Sequence, residues 1–278
     1  KGCHSKHLHQ NIELGEEQIY MILAKLYQKG LKAVTWSGGG DPLESPWWKQ
    51  AMEYAAALGL DQGLYSYLPG LDQDVVDFLE SKVKFVYTHS CTPRGLRRKT
   101  FGPRFTYGFL VDATNWYKIE SFARGVDLNF FDFVDFRPLC PENTQTATPA
   151  EDYSWISPCL LMLARMSARN PQVKYAEYKF MDLLRKDYGR NYSTCYSTDF
   201  TAIVGPNGDM YECLNRRGFP DSVLGNLLQE DLDTIWKRKA RCRTDLSQCR
   251  ILCRNHEENK VLFGILDGSQ SPEHVNFI

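Results

Sequence analysis

The residues best suited to chemistry are cysteines near both ends of the chain and a glycine run between them. Lys1-Gly2-Cys3-His4 opens the sequence, and Cys195, Cys213, Cys242, Cys249 and Cys253 fall towards its end. Between them lies Ser37-Gly38-Gly39-Gly40-Asp41-Pro42. A thiolate is a nucleophile and a ligand for soft metals. Consecutive glycines leave backbone N–H and C=O groups open to a ligand, with no side chain to block close approach. The stretch from Gly208 to Cys213 reads Gly-x4-Cys, and its turn brings Cys213 back towards Cys195, with Cys249 and Cys253 as a later pair. Four thiolates in two pairs suit either an iron–sulfur cluster or tetrahedral zinc. Cys242 is the alternative to Cys249 as a ligand.

Elements of regular structure must position these groups. Residues 16–29 carry apolar positions at helical spacing, closed by Gly30. Lys32–Trp36 reads as a buried strand that runs into the glycine loop. A helix at 46–58 opens on Pro46. Then come a strand at 64–68, a helix at 72–81, strands at 85–89 and 107–113, a helix at 115–124 with Asn115 as its cap, and a strand at 130–136 that ends at Arg137-Pro138. Residues 141–154 are polar and read as a loop. Residues 155–168 and 174–187 read as helices. From Tyr196 the character changes: an Asn207-Gly208 turn between two apolar stretches is a hairpin signal, followed by a helix at 230–240. Alternating strands and helices argue for an α/β fold of parallel βαβ units, more a full or partial barrel than a flat sheet. Chemistry in such barrels sits where strands end, and the glycine run, His89, Asn115 and Arg137 all follow predicted strands. The domain boundary is placed at 190, giving a barrel over 1–190 and a small domain of β-hairpin plus helix over 191–278.

Composition excludes several classes. The formal net charge of −1 gives no global case for nucleic acid or an anionic membrane. No run of about 18 apolar residues suggests a membrane span, and no secretory signal is present. Nine cysteines in a 278-residue chain do not suggest a secreted disulfide framework, because such frameworks belong to small domains with weak cores. Metal or redox chemistry inside a cell, in the cytoplasm, is the better reading. Cys159 sits in an apolar helix and reads as core. His4, His7 and His9 read as a solvated polar segment.

Taken in order, these pieces resemble the radical S-adenosylmethionine (SAM) superfamily with a C-terminal twitch or SPASM-like auxiliary-cluster domain. Ser-Gly-Gly-Gly-Asp-Pro is similar to that family's Gly-Gly-Glu-Pro motif, with Asp41 in place of the commoner glutamate. Cys3 would be the last cysteine of a Cys-x3-Cys-x2-Cys signature whose first two members precede Lys1. Leu224-Gly225-Asn226-Leu227 and Ile235-Trp236 match landmarks of the auxiliary domain. The resemblance implies a partial (β/α)6 barrel with a [4Fe–4S] cluster at its mouth, held by Cys3 and its upstream partners. Ser37, Gly38, Gly39, Gly40, Asp41, Asn115 and Arg137 would bind SAM. It also implies one auxiliary [4Fe–4S] cluster on Cys195, Cys213, Cys253 and either Cys249 or Cys242. SAM would be cleaved reductively to a 5′-deoxyadenosyl radical that abstracts a substrate hydrogen, with a reductase or flavodoxin-type electron donor. The substrate would be a small polar or nucleotide-like metabolite, or alternatively a peptide. Cys91 and Cys140 follow predicted strands and could donate a hydrogen atom to a substrate radical; the plain alternative is a small half-buried hydrophobe. Arg94, Arg97 and Arg98, in a basic loop after a strand, could hold a substrate phosphate or carboxylate, where solvated charge is the plain alternative. A zinc-stabilised nucleic-acid-binding module without catalysis is the rival from another class.

Overall fold

The computed structural model of the chain describes residues 12–90, 93–98, 104–139, 153–185, 190, 192–241, 246, 253 and 255–266. By their internal contacts they fall into two units that part between Leu184 and Arg185.

The first unit is a six-stranded parallel sheet. Its strands are β1 (Ala33–Trp36), β2 (Asp61–Tyr65), β3 (Phe85–Thr88), β4 (Arg104–Val111), β5 (Phe133–Pro138) and β6 (Val173–Tyr175). They lie side by side in sequence order, every neighbour parallel. Helices α1 (Glu16–Gln28), α2 (Trp48–Ala57), α3 (Gln73–Lys82), α4 (Ile119–Gly125), α5 (Ile156–Arg169) and α6 (Glu177–Arg185) alternate with the strands except between β3 and β4, where the described residues hold no helix. A sheet wound in one direction by right-handed crossovers puts its helices on one face and curls towards a barrel.

Alternation along the strands separates two faces. Leu64, Val86, Phe105, Val134 and Phe136 are fully buried. Leu64, Val86 and Phe105 pack with Met52, Val76, Leu79, Phe130 and Phe131 in one core cluster on the helix side. Each such side chain contributes about 1.5–3 kcal/mol relative to exposure. Tyr65, Tyr87, Asp135 and Arg137 occupy the intervening positions and point to the other face. Gln62 is a polar residue inside the sheet, and its amide is satisfied. It accepts from the Trp36 indole (2.8 Å) and donates to the carbonyl oxygens of Met52 (2.9 Å) and Lys82 (3.3 Å). Cys159 is buried in α5, where burial pushes its thiol up to about 12. It is the inert core residue the sequence suggested.

Three readings shift. The strand expected at 64–68 starts at Asp61 and ends at Tyr65, because Gln62 is buried by its hydrogen bonds and not by hydrophobicity. Phe130 and Phe131 precede β5 and belong to the core. Val173–Tyr175 is a strand, not the start of a helix; it pairs with Val134–Phe136.

The second unit holds an antiparallel sheet of β7 (Ile203–Val204), β8 (Asp209–Tyr211) and β9 (Val223–Asn226), followed by α7 (Leu232–Arg241) and α8 (His256–Leu266). The expected hairpin joins β7 to β8. Gly208 takes φ +84°, and a Cβ there would lie 2.7 Å from Leu228 Cγ, so only glycine makes this turn without strain. The third strand, β9, pairs beyond the hairpin. Among the described residues no helix is long and apolar enough to cross a membrane.

Candidate functional site

In the first unit the glycine run leaves β1 at its C-terminal end. A Cβ on Gly38 would meet the Gly40 carbonyl oxygen at 2.4 Å, whereas a Cβ on Gly40 would meet nothing within 4 Å. Gly38 is therefore required by a backbone that folds back on itself, while Gly40 borders open space. Ser37 is exposed. Asp41 fastens this loop to the end of β2. Its carboxylate accepts from Leu43 N (2.9 Å), from Ser66 Oγ (2.7 and 2.9 Å) and from Tyr67 N (2.5 Å). Ser66 Oγ in turn accepts from Leu68 N (2.8 Å), and Leu68 is the one described non-glycine residue with positive φ, +55°. Asp41 thus binds two loops to each other through its whole carboxylate.

Further along the sheet, polar and aromatic side chains share the face turned away from the helices. Tyr87 on β3 reaches past β4 to donate to Asp135 Oδ2 on β5 (3.1 Å). It can do so because Gly108 has no side chain: a Cβ there would lie 2.4 Å from Tyr87 Cε1 and Oη. Arg137 Nε donates to the same Asp135 oxygen (2.5 Å), and its guanidinium lies 4.6 Å from the centroid of the Tyr87 ring. Tyr65 packs on Tyr87 with centroids 5.3 Å apart, and His89 meets Tyr87 edge-on at 5.2 Å. Burial, reinforced by the Asp135 charge, pushes the Tyr87 phenol well above the ordinary tyrosine range, so it stays a protonated donor. Burial opposes the Arg137 charge, but Tyr87 and Asp135 outweigh it and raise its pKa. The His89 imidazole bonds the Gly108 carbonyl through Nδ1 (3.0 Å). Burial among its neighbours lowers its pKa, and that hydrogen bond only partly opposes the shift. Among the described residues the Arg137 terminal nitrogens make no hydrogen bond, so half of its fork faces outward.

Asn115 closes the end of β4. Its Oδ1 accepts from Asp112 N (2.9 Å) and its Nδ2 donates to Leu110 O (3.0 Å). The arginines expected to bind substrate lie elsewhere. Arg98 donates to Glu80 (3.2 Å), Asp132 (2.6 Å) and the Phe130 carbonyl (3.2 Å), and its guanidinium stacks on Phe105 at 4.6 Å. Asp132 precedes β5 and Phe105 begins β4, so this cluster sits at the opposite end of the strands from the glycine run. Arg98 is an internal anchor there. Arg94 and Arg97 are exposed, with the Arg97 backbone tied to Gln73 (3.0 and 2.7 Å). Cys3, Cys91, Cys140, Cys242 and Cys249 lie outside the described residues.

In the second unit Cys195, Cys213 and Cys253 are free thiols. They come from the loop before β7, the end of the β8 segment and the turn before α8. Burial raises the pKa of both Cys213 and Cys253, and each is raised further by a neighbouring cysteine: Cys213 by Cys253, and Cys253 by Cys195. Amides point at two of the sulfurs. Asn259 Nδ2 lies 3.2 Å from Cys195 Sγ and Asn215 Nδ2 lies 3.7 Å from Cys253 Sγ. Lys239 is buried against the Trp236 ring and donates to the Thr201 carbonyl. Burial brings its pKa down to about 8, against the pull of Asp199, Cys213, Glu212 and Cys195. Among the described residues no three His, Cys, Asp or Glu side chains gather closely enough to grip a single metal ion. The thiol donors with N–H groups directed at their sulfurs nonetheless fit a sulfur-ligated cluster.

Tyr87, Asp135, Ser66, Asn259 and Lys239 were not found from the sequence. The available signal for one of them, Asp135, was an acid two residues before a base, Arg137, inside a strongly apolar strand.

Residues 195–261 match the SPASM family, an iron–sulfur cluster-binding domain. The fold of the chain is similar to that of Streptococcus suis SuiB bound to S-adenosylmethionine, with 10% identity and a TM-score of 0.55 over 83% of this chain and 59% of that one. It is also similar to SuiB bound to its precursor peptide SuiA, with 12% identity and a TM-score of 0.59 over 89% of this chain and 67% of that one. A third similar structure is anSMEcpe with AdoMet and the Cp18Cys peptide, with 13% identity and a TM-score of 0.59 over 89% of this chain and 80% of that one. The chain thus spans less than two thirds of one of these proteins. No curated protein matches it. By architecture its fold is that of these S-adenosylmethionine-bound proteins, and its residues 195–261 are similar to an iron–sulfur cluster-binding domain. That match favours iron–sulfur over zinc for these thiols.

Proposed function

We propose that the chain is a radical SAM enzyme with an auxiliary iron–sulfur cluster. The observation that carries this reading is a singly wound six-stranded sheet, with an open glycine loop and a half-engaged arginine at its strand ends, in a chain that also carries the SPASM match. When bound at an open cluster iron, S-adenosylmethionine supplies a radical that removes a hydrogen atom from the substrate. Cys3 and cysteines upstream of Lys1 would hold that cluster. Cys195, Cys213, Cys253 and either Cys249 or Cys242 would hold the auxiliary one.

Each residue near the strand ends then has its own task. The backbone of Ser37–Gly40 receives the amino-acid end of the ligand, with Gly40 leaving the space for it. The outward half of the Arg137 fork binds a carboxylate, and Asp135 and Tyr87 fix its direction. Asp41 holds the loops after β1 and β2 together, and Asn115 closes the loop after β4. Arg98 keeps the far end of the sheet intact and does not meet substrate. A reductase or flavodoxin-type donor supplies electrons, and the setting is the cytoplasm.

The substrate is a small polar metabolite. A peptide is the second reading, supported by the peptides bound in the SuiB and anSMEcpe structures. The test is anaerobic reconstitution of the full-length protein, with iron, sulfide and zinc analysis, followed by reduction with dithionite in the presence of SAM. Bound iron and sulfide with release of 5′-deoxyadenosine is the expected result. A colourless zinc protein that leaves SAM intact overturns the proposal.

A further inference from the structure

Asn259 stands on the first turn of α8 and is 1% exposed. Every polar atom of its side chain is engaged. Oδ1 accepts from the backbone N–H groups of Tyr196 (2.7 Å) and Ser197 (3.0 Å), the two residues after Cys195. Nδ2 donates to the Asn255 carbonyl (2.8 Å) and points its other hydrogen at Cys195 Sγ (3.2 Å). An amide side chain has one end that only accepts and one that only donates. Two backbone donors at one end therefore fix which end is oxygen, and the amide cannot flip. The N–H aimed at Cys195 is built into the packing of α8 against the loop before β7.

From this arrangement we infer that Asn259 is a positioning residue for the auxiliary cluster, which orients Cys195 and sets the reduction potential of the iron centre it ligates. The inference rests on the iron–sulfur reading given above. An N–H group directed at a ligating sulfur stabilises the more negative, reduced state and so raises the potential. Asn215 approaches Cys253 in the same manner at 3.7 Å, a longer and weaker contact. Of the two amides, Asn259 is the one whose donation is enforced from both sides. A residue that only anchored the loop would need its acceptor atom alone, since Tyr196 and Ser197 both donate.

That distinction yields the test. Asn259→Leu removes the donor without adding charge. Asn259→Asp keeps an acceptor for Tyr196 and Ser197 but loses the nitrogen. The full-length protein is reconstituted anaerobically, iron and sulfide are counted, and the clusters are titrated and read by electron paramagnetic resonance. In Asn259→Leu one component of the titration becomes harder to reduce, its oxidised-to-reduced ratio at fixed potential rising about tenfold, or about 59 mV for one electron. The other component stays in place. Pulsed measurements on the reduced wild type detect a side-chain nitrogen coupling that Asn259→Asp abolishes while its iron content and far-ultraviolet circular dichroism are unchanged. If Asn259→Leu fails to hold iron, the coupling measured in Asn259→Asp decides. A cluster that is bound, with potential and coupling both unmoved, overturns the role of Asn259 and leaves the iron–sulfur reading standing. A wild type that binds no iron and sulfide in this domain overturns both.

Discussion

Two arginines mark the two ends of one sheet. Arg98, where the strands begin, meets two carboxylates, a carbonyl and an aromatic face. Arg137, where they end, meets one carboxylate through Nε and one ring, and its terminal nitrogens are unbonded among the described residues. The first is complete within the protein and holds structure together. The second is oriented but incomplete, and an incomplete charged fork on rigid strands is what a ligand carboxylate can complete. Position on the strand axis, not residue type, separates the arginine completed within the protein from the one proposed to meet a ligand.

Arg98→Met should have the largest effect on stability. It leaves Glu80 and Asp132 without their shared cation, and the loss of one partner from a buried ion pair costs about 3–5 kcal/mol. Chemical denaturation measures it, and a loss below about 1 kcal/mol would show that the pair is not an anchor. Gly108→Ala should follow. The new methyl collides with the Tyr87 ring, an overpacking cost of about 1–3 kcal/mol. Combination with Tyr87→Leu should recover part of that cost, since the ring is then absent; purely additive losses would refute the crossing of β4 by Tyr87.

Arg137→Ala inverts the pattern. Stability should fall by less than in Arg98→Met, because the Arg137 side chain is 34% exposed and Asp135 keeps the Tyr87 hydroxyl, while affinity for SAM in the reconstituted protein falls about tenfold or more, from the loss of a charge-assisted hydrogen bond. Equal losses of affinity in Arg98→Met and Arg137→Ala, measured at a temperature where both are folded, would erase the contrast between the two ends. The smallest effect concerns pH. The folded-state pKa of His89 is depressed, so the unfolded chain binds the proton more readily. Its contribution to stability is present above the unfolded histidine pKa and is lost as pH falls through 6.5 towards the folded value. His89→Gln should therefore lose less stability than wild type between pH 7.5 and pH 5.5. Parallel stability profiles for the two proteins would show that the imidazole is not held neutral by its surroundings.

Most of the first unit was legible in the residues because burial and hydrophobicity coincide there. β1, β3 and β4 carry apolar residues at alternating positions, and α1 and α3 carry them at helical spacing. The failures have separate causes. Gln62 is buried through three hydrogen bonds, so β2 looked shorter at its start than it is. β6 is three residues long, and its lysine is exposed, so its pattern was absorbed into the helix that follows. The glycine run was legible as a loop, but its partner was not, because the hydrogen bonds from Ser66 and Tyr67 to Asp41 span 25 and 26 residues. Asn259 stayed hidden for the same reason, lying 64 residues from Cys195. Sequence spacing reveals groups that act with near neighbours; groups that act across the fold must be seen in place.

Leu68 shows how far that long-range wiring extends. A buried leucine in left-handed backbone sits about 1–2 kcal/mol above its relaxed state. It is kept there by the hydroxyl that also grips Asp41. Asp41 and the Leu68 backbone are therefore tied to each other through one hydroxyl. The turns that follow the first two strands thus share a single catch, the Ser66 hydroxyl with the Asp41 carboxylate on one side and the Leu68 N–H on the other.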